Sequence, residues 1–496
     1  MLIASGVGSV LGLIRGFYVV RAMTPADYGV WSLISALLSY ANYADIGINT
    51  GFILEVPRLL GGGQPGEAAR MQRQAYTATL AIAGLVCVLV LLSSSSSTSI
   101  AGGYAASVRI VGIAVVVFAL LNYYQVVVRI KHQWLAIGAA TIATGAVGTA
   151  GVMLAGTVTG HVSVEAAAFF SVLGSGVAVL MLGYAGRSRP SWPLDWGALR
   201  YLIALGLPVS LLPITFTFFQ NVDRWVVAAA VPATHMGYYA LGTTLGLFLY
   251  LVPNTLAMVL FTRQIAESGA GHGLTRSESL VLIPIQLSGY VMAWIAGAMI
   301  VAMPFIIHYI TPAYAPALRT ASLQVVGNCL LFAVPVGANF LISVKQQRAL
   351  VATLAAAMVF EAVLVAALVR TPSGIDGAAW AVLTSDAMYS GAVALLCLRL
   401  FGKGVPAHIG RVMLYFMPFG LCLPVALLVR MVNRVNGTLY ADSGRLLWLV
   451  AMYLVVSGGL CLGAARTSGF LAEPFLATRI RERLPASMAA ALLGKG

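Results

Sequence analysis

The chain contains 496 residues, of which 60% are hydrophobic and 9% are charged, and its formal net charge at pH 7 is +14. These proportions exclude a water-soluble globular domain, because such a domain needs far more charged side chains at its surface. They are typical of a polytopic membrane protein. We attribute the positive charge to membrane topology and to attraction by anionic lipids, and we expect no nucleic-acid partner.

Fourteen apolar stretches are candidates for membrane-spanning helices, since a span takes about 20 apolar residues. Short loops join them, so we predict an all-α polytopic membrane protein with no inserted soluble domain. In chain order, the predicted spans cover residues 2–20, 28–52, 75–92, 110–128, 135–158, 166–183, 202–219, 236–261, 280–307, 323–344, 351–369, 378–398, 413–429 and 446–462.

The loops lack the features of an enzyme or an ATP-driven pump. The sequence contains no Gly-x-x-x-x-Gly-Lys-Ser/Thr loop for nucleotide phosphates, and no long external loop with paired carboxylates. All five cysteines fall within predicted spans, where small thiols serve as packing residues. We therefore expect no catalytic centre, no metal site and no cofactor. The opening Met1-Leu2-Ile3 carries no basic segment, so we expect no cleaved signal peptide.

The distribution of basic residues predicts the orientation, because Lys and Arg are retained on the cytoplasmic side. If the N-terminus is cytoplasmic, 20 of the 29 Lys and Arg residues fall on the cytoplasmic side and 8 on the external side, while Arg15 lies within the first span. Both termini and the loops with Arg70, Arg187 and Lys403 are therefore predicted to be cytoplasmic. The serine-rich run at 93–99 is predicted to be external.

An internal repeat relates residues 15–33 to residues 224–241. In both segments an arginine precedes an aromatic residue and valines, then Pro-Ala, and then a glycine beside an aromatic residue. Such duplication is a mark of transporters in which two related lobes enclose a binding site. The alternative is a chance match between two apolar helices with Pro/Gly turns.

Two arginines are the candidate substrate-binding residues. Arg15 lies within the first span and Arg224 follows the seventh, so the two lobes would each offer a guanidinium to one polar interior. A guanidinium stays charged and binds phosphate through two hydrogen bonds, which suits a lipid-linked phosphate or pyrophosphate head group. The alternative is structural, with Arg15 paired with Asp45 and Arg224 paired with Asp223 or with the lobe interface.

Three carboxylates at membrane depth are candidates for ion coupling. Asp45, Glu361 and Asp386 are costly in hydrocarbon unless they bind a proton, a cation or an arginine. Glu361 is the strongest candidate, because it lies in the middle of an apolar run. For each residue the alternative is a helix cap or an interhelical hydrogen bond to Ser or Thr.

Four short motifs follow one another along the chain. They are Arg21-Ala-Met-Thr-Pro-Ala-Asp-Tyr-Gly29-Val-Trp-Ser-Leu33, Asp45-Ile-Gly-Ile-Asn-Thr-Gly51, Asp223-Arg-Trp225 with Gly237-Tyr-Tyr-Ala-Leu241, and Thr311-Pro-Ala-Tyr-Ala-Pro-Ala-Leu318. In this order they resemble the motifs of the Wzx-type polysaccharide flippases of the MOP superfamily. The resemblance covers about residues 15–400, although the segment before the first motif is shorter than is usual in that family.

The resemblance implies two six-helix lobes in a V-shaped, pseudo-two-fold arrangement, followed by two extra helices. Residues 1–199 would form the first lobe, 200–400 the second, and 401–496 the last two spans with a basic cytoplasmic tail. It also implies alternating-access transport of polyprenyl-(pyro)phosphate-linked oligosaccharide across the bacterial inner membrane, for surface polysaccharide synthesis. A proton or sodium gradient, membrane lipids, and the polymerase and export components of the same pathway would be the partners.

Two other functions stay open at this point. A cation-coupled multidrug exporter of the same superfamily would carry an excess of acidic residues in its cavity. An envelope-polysaccharide polymerase or ligase, or a scaffold without transport activity, would belong to a different class. An external catalytic loop with paired carboxylates would favour the enzyme.

Overall fold

A computed structural model describes residues 2–96, 104–188, 190–249, 274–332, 335–400, 405–435 and 443–467. All regular structure in these ranges is helical, which confirms the predicted all-α class. In chain order the α-helices are α1 (Leu2–Ala22), α2 (Pro25–Ala41), α3 (Ile48–Gly61), α4 (Pro65–Ser96), α5 (Ala105–Ile130), α6 (Trp134–Thr159), α7 (Val164–Gly186), α8 (Trp196–Ala228), α9 (Ala233–Leu249), α10 (Leu274–Phe305), α11 (Leu318–Phe332), α12 (Pro335–Ser343), α13 (Gln347–Leu368), α14 (Gly374–Leu400), α15 (Val405–Val435) and α16 (Ser443–Thr467).

Ten helical segments of the described ranges are long and apolar enough to cross a membrane. Large apolar side chains on these helices are exposed, as at Leu135 (90%) and Leu180 (75%). Exposed leucines on a span are expected to face lipid, because lipid tails are as apolar as leucine. The chain is therefore a multi-pass membrane protein.

The chain forms two compact units, 1–240 and 241–496. The first contains α1 to α8 and the beginning of α9, and the second contains the later helices. The transport lobes expected at 1–199 and 200–400 stay a prediction. Some predicted features lie outside the described residues, namely the end of the 236–261 span, Ser97 to Ser99, Lys403 and the basic tail after residue 467.

A break interrupts the predicted span 28–52. The helix ends at Ala41 and restarts at Ile48, because Ile46 (φ 48°) and Gly47 (φ 81°) both adopt the left-handed conformation. Glycine adopts this conformation readily, whereas a β-branched residue does so rarely. The chain thus contains two shorter helices, α2 and α3, where one span was predicted.

Glycines allow α3 and α8 to pack backbone against backbone. A Cβ atom at Gly51 would overlap the Leu202 carbonyl oxygen, and a Cβ at Gly206 would overlap the Gly47 carbonyl oxygen. Small residues at a crossing let two membrane helices approach closely. The close approach fixes the broken segment against α8.

The connection between α7 and α8 is fastened to α4. Arg70 Nη2 lies 2.8 Å from Asp195 Oδ2, and the Asp195 backbone N–H donates to Gln74 Oε1 at 2.9 Å. The Ser191 N–H donates to Thr77 Oγ1, also at 2.9 Å. These bonds hold the beginning of α8 to the beginning of α4.

In the second unit, α10 runs into a π-helical turn (Ile306–Ile310) and a 3₁₀ turn (Pro312–Ala317) before α11. Helix α13 presents a buried stripe at every third or fourth residue, and α14 packs against it. Glu361 belongs to that stripe and is buried as predicted, at 2% exposure.

Candidate functional site

A polar cavity of about 250 Å³ lies within the first unit, between the α2–α3 break, α5 and α8. Its wall combines one carboxylate, one guanidinium, and several amide and hydroxyl groups. Polar groups this deep in a membrane protein normally face a cavity or a partner. The lining residues are Asn42, Tyr43, Asp45, Gly47, Asn49, Thr50, Ile53, Asn122, Gln125, Val126, Arg129, Ser210, Pro213 and Ile214.

One buried donor in the wall has no hydrogen-bond partner among the described residues. Asp45 Oδ2 accepts the Asn49 backbone N–H at 2.8 Å, so this carboxylate caps the beginning of α3. The Asn49 side chain accepts a hydrogen bond from Thr79 through Oδ1 at 3.4 Å. Its Nδ2 is buried without a hydrogen-bond partner in the described part of the chain. An unpaired buried N–H donor is costly, so this position favours an acceptor in the cavity.

A second, apolar cavity of about 360 Å³ adjoins the polar one, and Tyr43 and Ile214 line both. The Tyr43 hydroxyl accepts a hydrogen bond from Thr217 at 3.2 Å. A tyrosine has an apolar ring and a polar tip, which suits a boundary between two such environments. The remaining wall is formed by Leu37, Tyr40, Ala41, Ala44, Ile46, Val86, Val90, Val111, Val115 and Phe218.

Arg224 and Asp223 lie near the C-terminal end of α8 and are both buried, at 7% and 3% exposure. No ion pair joins them, because adjacent residues on a helix do not face each other. Asp223 Oδ2 instead accepts a hydrogen bond from the Tyr239 hydroxyl at 2.6 Å. Among the described residues, Arg224 Nε and Asp223 Oδ1 have no hydrogen-bond partner.

Arg15 lies on α1 and is directed towards α6 and α7. Its Nη1 donates to Ser171 Oγ at 3.3 Å, and a Cβ built on Gly148 would lie 2.8 Å from that nitrogen. The alternative pairing with Asp45 is not found, because Asp45 caps α3 and Arg15 has no carboxylate within 4 Å in the described ranges. Neither Arg15 nor Arg224 lines the polar or the apolar cavity.

The two carboxylates of the second unit lie on packed helices, Glu361 on α13 and Asp386 on α14. Asp386 is 3% exposed and faces α11, since its Oδ2 would lie 3.0 Å from a Cβ built on Gly327. Ser385 beside it donates to the Ala357 carbonyl oxygen at 3.2 Å. The structure thus places two of the three predicted coupling residues in the second unit and Asp45 in the first.

Two carboxylates outside the predicted spans are paired with arginines. Hydrogen bonds from the Arg58 guanidinium hold the pKa of Glu55 below its ordinary range. Hydrogen bonds from the backbone N–H groups of Ala198 and Gly197, together with Arg70, lower the pKa of Asp195. Both carboxylates are therefore ionised at neutral pH.

Sequence reasoning included Asp45 but missed the other polar groups of the cavity. Asn122 and Gln125 lie in the predicted span 110–128, Asn49 lies in the predicted span 28–52, and Arg129 directly follows α5's apolar part. A search for amides within predicted spans, in addition to charged residues, would have identified them, because an amide is also costly in hydrocarbon.

Comparisons with known proteins give a family match and several structural relatives. Residues 18–263 match the family model described as "Polysaccharide biosynthesis protein". No curated protein sequence matches the chain. An inward-facing multidrug resistance MATE family transporter of the MOP superfamily has a TM-score of 0.67 and 12% identity, over 79% of this chain and 94% of that one.

Two further solved structures share the fold. Lipid II flippase MurJ, in an inward closed conformation, has a TM-score of 0.65 and 10% identity over 92% of this chain and 97% of its own. A MOP superfamily transporter from Pyrococcus furiosus has a TM-score of 0.55 and 14% identity, over 81% and 94%. The chain therefore has the fold of the MOP superfamily of membrane transporters and flippases, and its residues 18–263 match the polysaccharide biosynthesis family.

Proposed function

We propose that this protein is a flippase that moves polyprenyl-(pyro)phosphate-linked oligosaccharide across the bacterial inner membrane by alternating access. The observation that carries the proposal is the polar cavity of the first unit, with amides, hydroxyls and Arg129 in its wall. The family match and the fold shared with a lipid II flippase support it. In this proposal both termini are cytoplasmic, and the polymerase and export components of the pathway are partners.

The chemistry of the wall suits a sugar. Amide and hydroxyl side chains both donate and accept hydrogen bonds, as sugar hydroxyl groups do, and the cavity offers Asn42, Asn122, Gln125, Thr50 and Ser210. A guanidinium binds phosphate oxygens with two parallel hydrogen bonds. The cavity therefore combines groups for both parts of a sugar phosphate.

Arg15 and Arg224 remain proposed head-group residues, although they line neither cavity. Arg224 is the better supported of the two, because its buried Nε has no hydrogen-bond partner in the described part of the chain. Asp45, Glu361 and Asp386 are the proposed proton or sodium sites, since all three are buried. The protein would bind and move its substrate without making or breaking a covalent bond.

A cation-coupled multidrug exporter is the second candidate. The MATE family transporter with the same fold favours it, as do the buried carboxylates in both units. Against it stands the near-neutral wall of the polar cavity, in which Arg129 balances Asp45. A cavity for cationic drugs would carry an excess of acidic groups.

The deciding experiment measures flipping in proteoliposomes that contain the full chain. A fluorescent polyprenyl-pyrophosphate-linked oligosaccharide should become accessible on the opposite leaflet, while a cationic drug such as ethidium should not move. Empty liposomes give the background rate. Drug transport without lipid flipping would replace the proposal with the exporter.

A further inference from the structure

The polar and apolar cavities of the first unit share two wall residues, Tyr43 and Ile214, and we call the two cavities together the trough. Along α5, Val111 and Val115 line its apolar half, and Asn122, Gln125 and Arg129 line its polar half. From Val111 to Arg129 the helix rises about 27 Å at 1.5 Å per residue. The wall residues of the trough are therefore spread along a length of α5 close to the roughly 30 Å hydrocarbon thickness of a bilayer.

We propose that this trough within the first unit binds the polyprenyl phosphate part of the substrate, with the phosphate at Arg129 and Asn49 and the first isoprene units in the apolar half. The inference rests on the proposed function and adds a binding place for the carrier. The sugar adjoining the phosphate contacts the amide and hydroxyl groups of the polar half.

The unused hydrogen-bond donors define the phosphate position. Asn49 is 5% exposed and lines the polar cavity, and its Nδ2 has no partner among the described residues. Arg129 lines the same cavity and has an exposed side chain. A phosphate oxygen accepts from both kinds of donor, and a hydrogen bond to a charged group is stronger than one between neutral groups.

The apolar half provides the position of the isoprene chain. Its wall contains only apolar and aromatic residues, among them Val86 and Val90 on α4 and Phe218 on α8. Ile46 and Phe218, which line this cavity, are 43% and 47% exposed, so the cavity is open to its surroundings. Because lipid tails are as apolar as this wall, close van der Waals packing is what would hold the chain there.

The amide and hydroxyl groups of the polar half favour a sugar phosphate over an ordinary phospholipid. The polar half offers more amide and hydroxyl groups than a phosphate needs, which leaves partners for sugar hydroxyls. The predicted topology puts Arg129 at the cytoplasmic end of α5, where the carrier is loaded. The ligand would thus enter from the cytoplasmic leaflet, with its chain directed towards the centre of the membrane.

The test uses the full chain in nanodiscs and a photoreactive polyprenyl monophosphate that carries no sugar. We expect Val90→Trp, which fills the apolar half, and Arg129→Gln each to weaken binding by about tenfold or more. Val88→Trp is the matched control on the same helix, because Val88 is 51% exposed and lines neither cavity. Arg200→Gln is the matched control for the charge, since Arg200 is exposed and also lines neither cavity.

Photolabelling of the wild-type chain keeps the test independent of the folding of any variant. The label should map to the α2–α3 break, α4 and α8, and phosphatidylglycerol in excess should not displace it. Labelling confined to other segments, displacement by phosphatidylglycerol, or equal binding by Val90→Trp and Val88→Trp would each overturn the inference. Flipping of the lipid-linked oligosaccharide by the wild-type protein is measured in parallel. If flipping is seen when the binding test fails, the proposed function still holds and only the binding place is wrong. Absence of both binding and flipping would overturn the function itself.

Discussion

Gly237 and Pro25 meet at a helix crossing that joins the two segments of the predicted internal repeat. A Cβ atom at Gly237 would overlap the Pro25 carbonyl oxygen, and a Cβ at Gly29 would overlap the Ala233 carbonyl oxygen. The contact is reciprocal, because each glycine faces the first turn of the helix that carries the other. The two glycines occupy equivalent positions in the two segments of the predicted repeat, which stays a prediction.

The first prediction concerns this crossing. Gly237→Ala should destabilise the protein by about 1–3 kcal/mol, because the added methyl group overpacks a backbone contact. Thermal unfolding in detergent measures the change. Gly176→Ala is the matched control, since a Cβ there meets nothing within 4 Å, and it should be neutral or slightly stabilising. Equal melting temperatures for Gly237→Ala and the wild type would contradict the close approach.

The second prediction concerns Arg224. Arg224→Ala should abolish flipping while the protein still inserts into the membrane. Arg224→Lys should retain part of the activity, because lysine keeps the charge but cannot form the two parallel hydrogen bonds of a guanidinium. Arg15→Ala and Arg15→Lys, compared in the same assay, test the other proposed head-group residue. Normal flipping by Arg224→Ala would remove it from substrate binding. Loss of the protein from the membrane would assign it a structural role.

The third prediction concerns Glu361. Glu361→Gln should leave substrate binding intact and remove the dependence of flipping on a proton or sodium gradient. The neutral amide neither binds a proton nor carries the negative charge that binds sodium. The assay imposes a pH or sodium gradient on proteoliposomes. If an ion crosses, the membrane potential contributes about 2.3 kcal/mol per charge per 100 mV. Unchanged gradient dependence would leave Asp45 and Asp386 as the candidates.

The fourth prediction separates two roles of Asp45. Asp45→Asn keeps an oxygen that can accept the Asn49 N–H, so we expect an unchanged melting temperature. Asp45→Ala loses this cap and should cost about 1 kcal/mol. If Asp45 also couples an ion, both variants should lose gradient dependence. Loss of that dependence in the alanine variant alone would mean that the cap is the only role.

The fifth prediction concerns pH and Asp195. Its pKa is lower in the folded protein than its ordinary value, so its stabilising contribution is present above the ordinary pKa and is lost as the pH falls through the lower, folded value. As the pH falls from about 5 to about 2, the wild type should therefore lose more stability than Asp195→Asn, which keeps a capping oxygen. Thermal unfolding at several pH values checks this, and parallel curves for the two proteins would contradict it.

The sequence correctly predicted the all-α membrane class and the burial of two charged residues. It did not predict which side chains these and other charged residues contact. Ten of the fourteen spans predicted from hydropathy coincide with helices long and apolar enough to cross a membrane. Hydropathy identifies them because the bilayer leaves few alternatives to an apolar helix. Glu361 and Asp386 are buried as predicted. The Arg15–Asp45 pair failed because it assumed proximity without knowledge of side-chain direction, and Arg15 faces α7 instead.

Two features needed the three-dimensional structure. The break at residues 42–47 was not predicted, because Asp45-Ile-Gly-Ile-Asn49 is apolar enough to continue a span, and the left-handed conformation of Ile46 has no sequence signal. The polar cavity draws on α3, α5 and α8, which are far apart in sequence. Its members could be identified individually as amides within spans, but their meeting point depends on helix packing.

The hydrogen bonds between the α7–α8 connection and α4 hold the beginning of α8 in place. The bonds through Asp195 and Ser191 immobilise its beginning, while Pro208 and Pro213 interrupt its backbone hydrogen bonds further along. About 22 Å of helix separates Pro213 from Ala228, so a bend of about 10° at the proline would carry the far end roughly 4 Å sideways. Arg224 and Asp223 would move with that end, whereas Ser210, on the near side of Pro213, would stay in place. A small bend would thus change the distance between Arg224 and Ser210, which lines the polar cavity.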